Sequence, residues 1–153
     1  MAKTKTSKPS KSSKSKAPAA RALDPVASTS RIDIGISAGD RKEIAEGLSR
    51  YLADAFTLYL KTHNFHWNVT GPMFNSLHNM FEAQYTEQWN ALDEVAERTR
   101  ALGFNTPGSY AEFIRLTSIR EEKGADGVRD WKGMVQQLVS GNEAGCRTPR
   151  AAL

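Results

Sequence analysis

The stretch "HNFHWNVTGPMFNSLHNMFE", His63 to Glu82, decides how this chain is read. It holds all three histidines of the protein. It leaves one helical pattern, breaks at "NVTGP" (Asn68 to Pro72) and enters a second. His66 lies seven residues beyond Tyr59 on the apolar stripe of the first pattern, and Glu82 follows His78 by four residues, one helical turn. Imidazoles and a carboxylate on faces that ought to be buried are costly unless something binds them.

Upstream, "DRKE" offers Asp40 as an N-cap with Glu43 three residues on, which predicts a helix start near Asp40. Ile44, Leu48, Leu52, Ala55 and Tyr59 then recur at three- and four-residue steps and mark one buried face. Downstream, a second helix is predicted from about Met73 to Leu102, with Leu77, Phe81, Tyr85, Leu92, Val95, Ala96 and Leu102 on its stripe. Gly103 is its C-terminal stop. "NTPGSYAEFIRL" supplies Thr106 as a cap and Pro107 at a first helical position, which predicts a short connecting helix. A further helix is predicted over roughly residues 127–139, and the pattern fades after Gly141. The fold class is therefore all-α, a helix bundle.

Residues 1–36 read as a separate basic tail, expected to be disordered, and residues 37–153 as the folded domain. Residues 1–31 carry eight lysines and arginines against Asp24 alone, so the net charge of +4 leaves the remainder mildly acidic. Such a Lys/Ser/Ala/Pro composition buries too little apolar surface to offset its ordering entropy. No apolar segment follows the charges, so a signal peptide is not expected. No apolar run reaches the ~20 residues of a membrane span. The single cysteine, Cys146, excludes an intrachain disulfide and reads as a small packing residue.

On the second helix, at about 100° per residue, Glu82, Asp93 and Glu97 fall about 40°, 60° and 100° from His78. All four share one flank. Imidazole nitrogen together with carboxylate oxygen suits borderline divalent metals such as iron. The centres of the His78/Glu82 and Asp93/Glu97 pairs are ~22 Å apart along a straight helix, too far for one ion whose ligands lie at ~2–2.2 Å. An antiparallel second copy, with its two-fold near residues 87–88, would bring each His78/Glu82 to the partner's Asp93/Glu97. A neighbouring helix of the same chain could also supply the missing ligands. Taken singly, each residue has a plainer reading. His66 or His78 could be a core histidine, the Asp93/Glu97 pair a solvated face and His63 an ordinary hydrogen-bonding residue. Trp67 and Trp89 read as core.

"KTHNFHWNVTGPMFNSLHNMFEAQY", followed by "LDEVAERTRALG", closely resembles the Dps family, the ferritin-like DNA-binding proteins from starved cells. The resemblance covers roughly Asp40 to Asn142. It implies a ferritin-like four-helix bundle that assembles as an antiparallel dimer and then a hollow dodecamer. It implies a mono-iron or di-iron centre at the dimer interface, with His66, His78 and Glu82 from one subunit and Asp93 and Glu97 from its mate. The implied activity is a ferroxidase, an oxidoreductase that oxidises ferrous iron with hydrogen peroxide, stores the ferric product and protects DNA under stress. The Lys-rich tail (Lys3, Lys5, Lys8, Lys11, Lys14 and Lys16) resembles arms that hold DNA without sequence preference. The implied location is the cytoplasm, on the nucleoid, with no membrane partner. The alternative is a non-enzymatic nucleoid protein whose remnant site is structural. One departure stands out. Only eleven residues follow Asn142, so the fourth helix of the bundle is expected to be missing or truncated.

Overall fold

The structure, a computed structural model, describes residues 32–121 and 130–150. Four helices make up its regular elements: α1 (Ala38–Asn68), α2 (Phe74–Ala101), α3 (Tyr110–Leu116) and α4 (Trp131–Arg150). α1 is the hub and packs against each of the other three. Together α1 and α2 form an antiparallel hairpin. Arg41 at one end of α1 donates from Nη1 to the Leu102 carbonyl (2.9 Å) beyond the far end of α2, while His66 and His78 meet beside the turn. Gly71, at φ +92°, allows the chain to reverse between them.

Several boundaries moved from their predicted places, for reasons visible in the caps. α1 starts two residues before Asp40, because Ser37 adopts an extended conformation and its Oγ accepts from the Asp40 amide (3.2 Å). α2 closes as expected, with Gly103 at φ +92°. The connecting helix exists, but Ser109, not Thr106, caps it, in a capping box with Glu112. Thr106 instead donates to the Ala96 carbonyl on α2 (3.1 Å).

The last helix departs most from expectation. It runs to Arg150, well past Val139 and through Gly141 and Gly145. A side chain at Gly141 would place its Cβ 2.8 Å from Leu58 Cδ1, so the glycine is what lets α4 lie close on α1. The weak helix propensity that makes this segment look like an ending is therefore a packing requirement. The fading expected after Gly141 is corrected accordingly: the third long helix continues as α4 over 20 residues. The four helices among the described residues are three long ones and the short connecting α3, so no fourth long helix is among them.

The principal core joins Leu58 and Phe65 of α1 with Leu77 and Phe81 of α2 and Met134 and Leu138 of α4. Buried polar groups tie this core to the loops. Asp54, 1% exposed, accepts from Thr117 Oγ1 (2.9 Å), Ser118 N (2.5 Å), Ser118 Oγ (2.9 Å) and Thr148 Oγ1. That one carboxylate fastens the segment after α3 and the end of α4 to the middle of α1. Lys61, also buried, donates to the Arg120 carbonyl (3.0 Å) and to Gln137 Oε1 (3.2 Å).

Candidate metal centre

The hairpin brings His66 and His78 together. Their rings stack with centroids 3.8 Å apart and planes 22° from parallel. Each Nδ1 lies 3.0 Å from the other residue's backbone carbonyl. A carbonyl can only accept, so both Nδ1 atoms carry hydrogen and donate. In the neutral rings this fixes the same tautomer in both and leaves each Nε2 with a free lone pair. The arrangement has the character of a ligand pair, because metal-bound imidazoles characteristically donate their second nitrogen to a carbonyl or carboxylate that orients the ring. It arises locally. Each ring reaches across the hairpin to the main chain of its opposite number, and Phe74 stacks on His78 at 5.0 Å.

Glu82, Asp93 and Glu97 are exposed on α2. The structure does not bring them into one group with the histidines. Among the described residues no set of three or more His, Cys, Asp or Glu side chains is placed to hold a metal within a single chain. α2 is unbroken from Phe74 to Ala101, so the ~22 Å separation of the two ligand pairs stands.

The surroundings of these carboxylates are unusual for a solvated face. By the helical turn of about 100° per residue, Phe74 and Trp89 lie within about 40° of His78, yet they are 46% and 58% exposed. Trp67, next to His66 at the end of α1, is 63% exposed. Both tryptophans therefore depart from the core placement their sequence context predicts. Exposed aromatic surface of this kind is enriched where one protein surface meets another.

His63 makes the hydrogen bond expected of it. Its Nδ1 lies 3.2 Å from the Tyr59 hydroxyl. Its ring stacks on Tyr85 (centroids 3.9 Å, 13°) and packs on Trp67 (4.1 Å). Desolvation first, and the neighbouring His66 second, hold its pKa below the ordinary imidazole value. Sequence periodicity marks Tyr59 and Tyr85 only as stripe residues. Nothing in it shows that they meet across the hairpin, where Tyr59 also packs on Trp89 and Tyr85 on His66. The tail lysines Lys3, Lys5, Lys8, Lys11, Lys14 and Lys16 lie outside the described residues.

Residues 45–144 match the family model of the ferritin-like domain. The chain belongs to the Dps branch of that family. It is 37% identical over 110 residues to DNA protection during starvation protein 2 of Bacillus anthracis, covering 67% of this chain and 75% of that one. It is 38% identical over 113 residues to a low temperature-induced protein of Nostoc, covering 74% of this chain and 62% of the relative's length. Among solved structures, the Dps protein of Bacillus brevis superposes with a TM-score of 0.68 at 32% identity, over 76% of this chain and 78% of that one. The Dps protein of Vibrio cholerae, described as a member of the ferritin-like diiron-carboxylate superfamily, superposes with a TM-score of 0.73 at 27% identity, over 82% and 77%.

Proposed function

We propose that this protein oxidises ferrous iron with hydrogen peroxide at a centre shared between two copies of the chain, and stores the ferric product. The single observation that carries the proposal is the reciprocal His66–His78 clasp, which presents two Nε2 lone pairs in fixed orientation. His66, His78 and Glu82 of one copy would bind the ion. Asp93 and Glu97 of an antiparallel second copy would complete the shell, covering the exposed aromatic face at the same time. Imidazole tolerates both oxidation states, and hard carboxylate oxygens favour ferric iron. Two ferrous ions and one peroxide yield two ferric ions and two hydroxides, so no hydroxyl radical is released. Consuming both reagents of radical formation would protect DNA. Assembly beyond the dimer, to a hollow dodecamer, belongs to the same reading.

Sequence-independent DNA binding is assigned to the Lys-rich tail, which would place the protein on the nucleoid in the cytoplasm. Each phosphate that a lysine neutralises releases counterions, so affinity should fall steeply with salt. Multiplication of the tail in an oligomer would add avidity.

The test is direct. His78→Ala combined with Asp93→Ala should abolish peroxide-driven loss of ferrous iron while DNA retardation at low salt persists. Deletion of residues 1–22 should do the reverse. Undiminished iron oxidation in the double variant refutes the site, and undiminished retardation in the deletion refutes the tail.

A further inference from the structure

The hydroxyl of Tyr59 and Nδ1 of His63 face one another at 3.2 Å, within the range for proton transfer along a hydrogen bond. Both residues are half-buried. Of the four tyrosines, all among the described residues, Tyr59 is the one whose hydroxyl has a hydrogen-bond partner there. Ring contacts join it to the histidine pair. Tyr59 meets Tyr85 at 6.4 Å between centroids, and Tyr85 meets His66 at 5.2 Å. His63 itself stacks on Tyr85. On the other side Tyr59 packs on Trp89 at 5.4 Å.

A phenol that loses an electron becomes a strong acid, so its oxidation is easy only where a base already holds the proton's destination. Tyr59 has such a base and, among the described residues, Tyr85 does not. From this geometry we propose that Tyr59 and His63 form a redox-active pair, in which Tyr59 supplies an electron to an oxidant arising at His66 and His78 while its phenolic proton passes to His63. The proposal rests on the reading of this protein as an iron oxidiser for the identity of the oxidant, a hydroxyl radical. One ferrous ion reduces hydrogen peroxide by one electron, giving ferric iron, hydroxide and that radical. The radical takes an electron from Tyr59 through the intervening rings and becomes a second hydroxide. The Tyr59 O–H bond breaks, an N–H bond forms at His63 Nδ1, and a neutral phenoxyl radical remains. A second ferrous ion returns the electron and His63 returns the proton. The sum is two ferrous ions and one peroxide converted to two ferric ions and two hydroxides. The pair thus lets two ions that arrive one at a time share a two-electron oxidant.

Two arms test this on the full chain. In the first, without iron, a flash-generated ruthenium(III) polypyridyl complex oxidises the protein. Paramagnetic resonance should show a neutral tyrosyl radical whose formation slows in deuterium oxide. Tyr59→Phe, which deletes one oxygen, should remove the signal. His63→Phe, which keeps a ring in the stack, should cut the yield severalfold and abolish the isotope effect. Tyr85→Phe should leave the signal in place. Helical circular dichroism checks that each ring-for-ring exchange folds. A signal undiminished in Tyr59→Phe, or an isotope effect unchanged in His63→Phe, overturns the pair. The second arm adds ferrous iron and hydrogen peroxide, follows ferric iron optically, and expects the same radical together with a severalfold rise in spin-trapped hydroxyl radical in Tyr59→Phe. Iron oxidised without a tyrosyl radical overturns the proposed role. Iron not oxidised at all overturns the functional reading, while a positive first arm keeps the redox pair standing.

Discussion

A site shared between two copies can be diagnosed by mixing two dead variants. Take one chain carrying His78→Ala and another carrying Asp93→Ala, unfold both, and refold them together in equal amounts. α2 holds the two ligand pairs ~22 Å apart, so in an antiparallel dimer each site draws His78 from one copy and Asp93 from the other. Random pairing makes about half of the dimers mixed. In each mixed dimer one site collects both lesions and the other collects none. Intact sites are therefore about a quarter of the total, whereas either variant alone has none. The companion mixture pairs the wild-type chain with the His78→Ala/Asp93→Ala chain. Here every mixed dimer has both sites damaged, and only wild-type pairs work, again about a quarter. A site completed within one chain gives a different pair of values, zero for the first mixture and about one half for the second. Initial rates of ferric absorbance after peroxide addition, per chain and relative to wild type, read out both. Zero and one half would refute the shared centre; two quarters would establish it without any structure of the assembly.

Two further outcomes follow from the fold. Asp54→Ala leaves four donors around a buried void and should cost about 3 kcal/mol, since each unsatisfied buried donor costs ~1–3 kcal/mol and the hydroxyls can partly re-partner; a urea midpoint that does not move rejects the hub role. Ser109→Ala should cost about 1 kcal/mol through the lost cap of α3, and it should also change the acid limb of stability. The Ser109 hydroxyl, then the Ser109 and Gly108 amides, hold Glu112 below the ordinary carboxylate value of 4.5. A depressed carboxyl stabilises fully above its unfolded pKa and loses that contribution as pH falls through its folded pKa. The difference between wild type and Ser109→Ala should therefore be largest at neutral pH and shrink below about pH 4.5; a constant difference across that window rejects the link.

The hairpin was readable because its signals are local and redundant. An apolar stripe on each side, "NVTGP" between them and Gly103 at the end all point to the same two helices, and the structure has them. What escaped reading were the buried polar positions of α1. Ser49, Thr57 and Thr62 are buried among its apolar residues. Their hydroxyls each donate to the carbonyl four residues back at 2.8 Å, so polar residues sit in the core with their hydrogen bonds already made. A hydropathy stripe does not register such positions. The second half of α4 was hidden for a similar reason, because beside Leu58 it carries Gly141 in place of an apolar side chain.

The candidate metal centre divides along the same physical line. His66 and His78 belong to segments joined by a five-residue turn, and a local motif suffices to set them face to face. Glu82, Asp93 and Glu97 have their places on α2 fixed by helical periodicity alone, but nothing local says what stands opposite them. In the proposed function they depend on a surface that the described residues of a single copy do not supply. The exposed Phe74 and Trp89 on the same face carry the missing information. Sequence alone misassigns Trp89 to the core because a tryptophan awaiting a partner and a tryptophan awaiting its own core have the same periodicity. Exposure separates the two cases. A large ring left in water costs free energy that association would recover. Aromatic exposure and ligand placement thus constrain one another. If Trp89→Lys blocks pairing, it should also remove iron oxidation, although its side chain is no ligand.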